Sequence, residues 1–512
     1  MQTNKYISIF RLSLIVILLG SNMRNNAQSR NANLYDFSRS SIVFNASQWR
    51  NPALRYFYPV HTYGDVSVSW QQRHEKEIYD VPNGNKESVF DFNAHSFRKG
   101  EKYVVYGSAG YQYGVNKNIK WNNIADYQML YPYLVADTIG GTAYREQYCF
   151  NGGYVRGWGK LTAGIYGDYR TRIEYRKLDP RPKSKVSDLL ITLGLSVPVS
   201  KGHRLGVNAD YSSYQQSHSI RVYRPGGSAK LFYLRGFGIS DESFSTMLSD
   251  NGSECNTYEK RGKGVSVQLF PVADQGYFQS LAFRQDQMEL QNSFFDAINQ
   301  LKETTLQGDL GWKFKGENRD RALKLHGFYH QQKGYEFNYT RNRDLLSKAH
   351  KYNNTSYRGG IACMQKGYRR ENRKHYYQLG IDYIKNESEY LVTGHLSPVF
   401  QNFDNVEMSV AGGLNRQFVR SALNVKWQCD YRKCLDSQLQ TSDLAVETAN
   451  ETLVIPEFEY LTADRVAVFV QVRYDLFTIR NFGTYIKGEG CYTHYWEATA
   501  SNQFRVSLGV AL

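Results

Sequence analysis

The feature that most constrains this chain is a two-residue hydrophobic rhythm sustained over unusually long segments. In Asp464 to Leu476, the residues Val466, Val468, Val470, Val472, Tyr474 and Leu476 take one face, while Ala467, Phe469, Gln471, Arg473 and Asp475 take the other. The same alternation sets Leu205, Val207, Ala209 and Tyr211 against Gly206, Asn208, Asp210 and Ser212. It sets Tyr377, Leu379, Ile381 and Tyr383 against Gln378, Gly380 and Asp382. A period of two specifies β-strands with one apolar face. Strands in soluble sandwiches usually run about 5 to 6 residues, whereas many segments here run 12 or more.

The rhythm predicts eighteen strands: 63–74, 87–98, 102–116, 144–158, 160–176, 188–200, 203–222, 263–270, 276–291, 302–315, 321–339, 352–369, 375–391, 404–419, 421–433, 464–477, 481–496 and 501–512. Sixteen is the alternative count. The connections sort by length. After every second strand comes a short turn, such as Lys99-Gly100-Glu101, Lys201-Gly202 or Gly316 to Asp320, whereas 117–143, 223–262 and 434–463 are long. Short turns at one end and long loops at the other are the pattern of an outer-membrane barrel. A strand protein can span hydrocarbon only as a closed barrel, because no backbone polar group can be left bare there. The predicted fold class is therefore all-β, a transmembrane antiparallel barrel of about 18 strands.

Composition narrows the alternatives. Aromatic residues make up 15% and charged residues 22%, the reverse of a disordered chain's balance. Mean hydropathy is −0.57, and only one apolar run, near the N-terminus, approaches spanning length, which excludes a helical membrane protein. That run, Leu12 to Gly20, follows Lys5 and Arg11 and precedes Asn25-Asn26-Ala27-Gln28, so residues 1–27 read as an export signal. Residues 28–62 then form an N-terminal periplasmic or lumenal segment and 63–512 the barrel. Removing 1–27 takes away Lys5, Arg11 and Arg24 and no acids, lowering the net charge from +15 to +12. No basic cluster is longer than Arg369-Arg370-Glu371-Asn372-Arg373-Lys374, so no stripe tracks nucleic-acid phosphates. Outer-membrane lipid and lipopolysaccharide are the partners such a charge suits, together with a possible small-molecule solute.

The 6 cysteines are too dilute for a disulfide scaffold. Cys429 and Cys434 are close enough in sequence to pair across a strand end and its loop. No Cys/His grouping has zinc spacing, so neither metal nor cofactor is expected. No Gly-x-Ser-x-Gly, His-Glu-x-x-His or phosphate-cradling motif is present, so no enzyme is expected. His74-Glu75, His326 and His330 are the only histidines weighed for catalysis, with Asp382.

Aromatics collect at strand ends, among them Trp70, Tyr103, Trp158, Tyr352, Tyr376, Tyr390, Tyr431, Tyr485, Tyr495 and Trp496, and predict two interfacial girdles. If Val466 to Leu476 face lipid, then Arg473 and Arg505 face the lumen, with Lys324, His326 and Lys426. Asp382, Asp430 and Asp475 share that face and offset the bases, leaving only a weak preference for anions.

With these strands and the terminal segment Gln503 to Leu512, the chain resembles outer-membrane barrels of Bacteroidota-type Gram-negative bacteria. In such proteins the last strand carries the signal read by the barrel-assembly machinery. Phe504, Val506, Leu508 and Val510 match that pattern, while Leu512 stands where an aromatic is usual. Trp49-Arg50-Asn51-Pro52-Ala53-Leu54 is similar to the Asn-Pro-Ala element of long-chain fatty-acid transporters, whose N-terminal segment folds into the lumen as a hatch. The resemblance implies that Asn51, Pro52 and Ala53 mark a hatch and that the barrel passes or captures small molecules, in a porin-like or hatch-gated manner. Alternatives are a structural barrel displaying loops 223–262 and 434–463 to a partner, and an outer-membrane hydrolase. TonB-dependent receptors fit less well, because only about 35 residues precede the first strand.

Overall fold

The computed structural model describes residues 27–511, apart from 242–243, 250–251, 295, 341, 371, 393–397, 447 and 478–482. The export signal, Leu512 and the turn at 478–480 therefore lie outside the described residues. Among the described residues there are twenty-one strands. Eighteen of them form one sheet: β1 (Tyr63–Glu75), β2 (Lys86–Lys99), β3 (Tyr103–Ile119), β5 (Gly141–Trp158), β6 (Leu161–Arg176), β7 (Arg181–Pro198), β8 (His203–Arg221), β11 (Ser253–Pro271), β12 (Gly276–Gln291), β13 (Ala297–Phe314), β14 (Arg319–Tyr339), β15 (Leu345–Arg370), β16 (Arg373–Tyr390), β17 (Val399–Gln417), β18 (Ser421–Gln440), β19 (Arg465–Phe477), β20 (Gly483–Tyr495) and β21 (Ala500–Ala511). Each pairs antiparallel with the next, and β21 closes on β1 from Asp65↔Ala511 to Glu75↔Ser501. The fold is an all-β, closed, 18-stranded antiparallel barrel. Among the described residues no helix is long and apolar enough to cross a membrane.

Each strand expected from the rhythm has a counterpart, but several run further toward the long loops. The eighth, expected at 263–270, spans Ser253–Pro271. Its outward face shows why. Val265 and Val267 are apolar, whereas Lys263, Arg261 and Glu259 beyond them are charged, so hydrophobic alternation stops while backbone pairing continues. The same change follows Tyr211 on β8, where Ser213, Gln215 and Ser217 succeed it, and Tyr383 on β16, where Lys385, Glu387 and Glu389 succeed it. An apolar belt of about eight residues per strand results. At ~3.3 Å per residue and a ~40° tilt it is about 20 Å tall, near the ~25 Å band of outer-membrane barrels. Above it the barrel continues as a polar-walled extension.

This corrects the girdle reading. One girdle lies partway along the strands, at outward Tyr211, Phe283, Tyr329, Tyr357 and Tyr383. Trp158, Trp312 and Tyr377 mark the other edge. Tyr352, Tyr376, Tyr390, Tyr485 and Tyr495 instead point inward and are buried, because segments inside the barrel pack on them. The Cys429–Cys434 pairing is also overturned. Both residues lie in the single strand β18, five positions apart and on opposite faces, and both are free. An extended strand holds them roughly 16 Å apart, beyond any disulfide.

The long connections do not hang outside. Residues 120–140 carry helix α2 (Tyr127–Leu130) and strand β4 (Tyr133–Ala136), and 222–252 carry β9 (Ala229–Arg235) and β10 (Thr246–Leu248). These three strands form a small sheet in the order β10-β9-β4. With Ala449 and Leu453, which precede helix α3 (Ile455–Thr462), they build a buried apolar cluster against inward Tyr258, Met288, Leu301, Tyr352 and Tyr390 of the extension. We call this the lid.

The face assignment makes a sharp prediction. Val470→Arg places a charge mid-belt on the outer face, at a cost of roughly 2–4 kcal/mol. Gln428→Arg, on the neighbouring strand but facing the lumen, carries no such cost. Heat-modifiable folded protein should fall strongly in the first and little in the second, and equal losses would overturn the assignment.

Candidate functional site

Inside the barrel, at the short-turn end, residues 27–60 cross the lumen. Helix α1 (Ala27–Phe44) is followed by a short 3-10 turn at Gln48–Arg50 and a 3-10 helix at Pro52–Phe57. The second begins as its residues dictate. Pro52 takes the first position, where its missing N–H costs nothing, and the Asn51 Oδ1 accepts from the Ala53 N–H at 2.9 Å. The Asn51 amide also reaches the wall, donating to Leu195 O at 3.2 Å and Gln268 Oε1 at 3.1 Å. Gly164 and Gly194, paired on β6 and β7, allow this approach. A Cβ on Gly164 would lie 2.9 Å from the Ala53 nitrogen, and one on Gly194 would lie 2.8 Å from Pro52 Cδ. Ala53 and Leu54 are fully buried. Trp49 packs edge-on against Tyr58 and Phe270 at 4.7 and 5.3 Å, and Arg55 sits 4.4 Å over the Tyr106 ring.

Helix α1 is held differently. Its wall contacts are both apolar and polar: Tyr35 stacks on Tyr63 at 4.4 Å, Phe37 lies against Tyr376 at 5.5 Å and Phe44 is buried with Ala362 and Met364, while Asn33 donates to Asp475 at 2.5 Å and accepts from Asn415 and Gln417 at 2.8 and 2.9 Å. Lys426 pairs with Asp36 at 3.1 Å, Gln471 donates to Asp36 at 3.0 Å, and Ser40 meets Tyr376 OH at 2.6 Å. Further along, Lys324 Nζ donates to Phe44 O at 3.0 Å and Arg50 donates to Gln307 at 2.8 Å. Such bonds exchange for bonds to water at a net value of about 0.5–1.5 kcal/mol each. The segment thus has an apolar anchor on β5–β8 and a second arm that mixes hydrogen bonds to β16–β19 with apolar packing on β1 and β15.

The lumen-facing candidates form two groups. Arg473 contacts Asp475 at 2.8 Å and Asp65 at 3.7 Å and lies 3.6 Å over the Tyr485 ring, while Lys426 is covered by α1. Arg505 bonds Gln71 and lies 3.6 Å from Asp91. On the opposite wall His326 meets Asp382, which Arg358 also contacts at 2.9 Å before reaching Glu407 at 3.6 Å. Asp430 accepts from Gln428 at 2.9 Å. His330 shares the His326 face but bonds Thr305 at 3.0 Å. Arg473, Lys426, Arg505 and Arg358 are matched by acids, which weakens the positive field an anion channel needs. Among the described residues no group of three His, Cys, Asp or Glu could hold a metal.

Against the crossing segment, on the side toward the lid, lies a chamber of about 420 Å³, lined by Arg50 and Arg55 of the segment and by the wall residues Thr192, Asp210, Arg284 and Thr305 among others. Salt bridges clamp the lid to β6. Asp126 receives Arg170 at 2.8 Å and Arg172 at 3.0 Å, and Arg176 meets Asp137. The lid was not legible as structure. Its signal was the pair of short apolar runs Tyr131 to Val135 and Leu231 to Leu234, which period counting assigned to loops.

On α3, burial and the nearby Asp80 carboxylate push the Glu457 carboxyl up to about 8. A raised carboxylate stabilises the fold fully below its unfolded pKa and loses that contribution as pH rises toward about 8. Glu457→Gln should therefore protect the amides of 449–463 from hydrogen exchange more than the native chain at pH 9, by on the order of 2 kcal/mol once cavity water is allowed for. The two should converge at pH 5.

The architecture is that of a closed barrel whose lumen is crossed at both ends by its own chain. Residues 52–512 match the model of a family described as "Family of unknown function (DUF6850)", and the chain belongs to that family. No curated protein matches it. Among solved structures it is similar to BauA, the ferric preacinetobactin receptor from Acinetobacter baumannii, at 9% identity over 88% of this chain and 80% of that one, with a TM-score of 0.39. It is also similar to the outer membrane transporter YddB from Escherichia coli, at 7% identity over 87% and 81%, with a TM-score of 0.39. OccAB4 from Acinetobacter baumannii gives 9% identity over 89% and 99%, with a TM-score of 0.35.

Proposed function

We propose that this chain is an outer-membrane barrel that captures small molecules and passes them through a lumen gated at both ends. Its apolar belt sits in lipid, its short turns face the periplasm and its polar extension faces outward, the usual disposition of such barrels. The observation that carries the reading is the split attachment of residues 27–60. An apolar anchor on the Gly164–Gly194 wall keeps the segment in the barrel, while helix α1 adds to the packing of Tyr35, Phe37 and Phe44 a row of hydrogen bonds that water can replace. A segment built only to brace the wall has no use for so many bonds that water can replace.

The display alternative gains less support. Of loops 223–262 and 434–463, the first supplies β9 and β10 to the lid and the start of β11, and the second begins within β18 and ends in α3. A hydrolase reading has the His326–Asp382 contact, but Asp382 is already neutralised by Arg358.

The test is a lock. In a chain whose native cysteines are serine, Asn33→Cys and Asn415→Cys, joined by a short reducible bismaleimide, tether α1 to β17. Labelled sugars, amino acids and organic acids are then followed into proteoliposomes. At least one should enter through the unlocked chain, stop on locking and resume on cleavage of the linker. Entry that ignores the lock, or no entry at all, would contradict gated passage.

A further inference from the structure

A second cavity, of about 400 Å³, lies in the extension between the lid and the wall of β14–β17. This is within the ~300–1,000 Å³ of small-molecule sites. Its lining has an unusual chemistry. Aromatic rings come from Tyr79, Tyr127, Tyr131, Tyr352, Phe403 and Tyr460, and carboxamides from Gln128, Gln332, Asn354, Asn386 and Gln401. No lysine or arginine lines it, in a chain whose net charge is +15.

The wall amides are pre-ordered. Gln332 donates to Glu303 at 2.8 Å, Asn354 to Gln332 at 2.9 Å, and Asn386 and Ser388 to Asn354 at 3.0 and 2.8 Å. A carboxamide has two donor hydrogens and two acceptor lone pairs, so this ladder leaves capacity turned to the cavity. Among the described residues the side-chain carboxamides of Gln128 and Gln401 have no hydrogen-bond partner and keep their capacity whole. Most telling is Tyr127. Its side chain is buried, yet its hydroxyl has no hydrogen-bond partner. A buried hydroxyl left unpaired is costly, and here it borders the cavity beside Tyr131 and Glu457.

We propose that this cavity binds a short neutral oligosaccharide. Ring faces stack on the C–H faces of a sugar, and carboxamides bridge neighbouring hydroxyls with a donor and an acceptor together. A carboxylate or phosphate ligand would meet Asp80 and Glu457, and the one basic side chain in the lining, His330, is kept neutral by burial. An apolar ligand would leave the Gln128 and Gln401 amides without a partner. The proposal deepens the capture reading by naming a solute class, and binding can be measured without passage.

The full chain in detergent is applied to an array of neutral gluco-, manno-, galacto- and xylo-oligosaccharides with uronate-bearing counterparts of matched length. Hits are measured by titration calorimetry. Neutral members should bind and uronates should not. Tyr127→Phe removes one oxygen with no protein partner, so it should leave thermal stability unchanged or raised while weakening the hit about tenfold. Gln401→Ala should do the same. No neutral hit, preference for uronates, or full affinity in both variants would overturn the proposal. Removal of residues 30–60 should leave binding intact. Binding that survives while the α1 lock has no effect on flux would sink gated passage and leave the sugar site standing.

Discussion

A chain that lacks residues 30–60 and carries glycine-serine turns in place of 122–137 and 224–250 is expected to conduct ions steadily in planar bilayers, at the level an empty 18-stranded barrel allows. Either change alone is expected to leave conductance close to that of the intact protein. The two obstructions lie in series and share no buried cluster. Leu54, Trp49 and Phe270 belong to one, and Leu134, Leu231 and Tyr258 to the other. From sequence alone, removing the N-terminal segment would have sufficed. The lid changes that expectation, because it closes the extension from above. Full conductance from the hatch deletion alone would mean that the lid does not seal.

Leu134→Asp should detach the lid without unfolding the barrel. Leu134 is buried in the small sheet, paired with Leu234, and Arg235 next to that pair is already engaged by Asp241 and Glu336. An unpaired buried charge costs on the order of 3–5 kcal/mol, more than a clamp of a few ion pairs at Asp126 and Asp137 restores. Limited proteolysis should then cut within 121–137 in intact cells, while heat-modifiability of the barrel is retained. The belt strands owe nothing to the lid, since their pairing is complete from β1 to β21. Loss of the folded barrel in this variant would show that lid and wall fold as one unit.

The parts of this molecule that were legible in the sequence are those where one face meets a uniform medium. Val466 to Leu476 alternate because lipid admits only apolar side chains, so strand number, register parity and the sorting of turns could all be read. Legibility ended where the medium changed. Glu259, Arg261 and Lys263 lie on a strand as regular as Val265 and Val267, but water on their outer side erases the contrast. The inward charges were readable as inward and unreadable in their partners. Nothing near Lys426 in sequence announces Asp36, 390 positions away. The lid segments were missed because their apolar runs are short and satisfied by one another across long stretches of chain. Tyr127, the residue that points to a ligand, is distinguished only by a missing bond, which no sequence displays.

The central claim, a lumen closed at both ends at rest, is tested most directly by a thiol in the chamber between the gates. Thr305→Cys, in a chain whose native cysteines are serine, places it there, on the inward face of β13. A charged, membrane-impermeant thiol reagent is added to whole cells and to permeabilised cells, reaching first one end and then both. The intact barrel should stay unlabelled in both, with labelling from outside once the lid is replaced and from the periplasm once residues 30–60 are removed. Rapid labelling of the intact barrel from either side would contradict the claim.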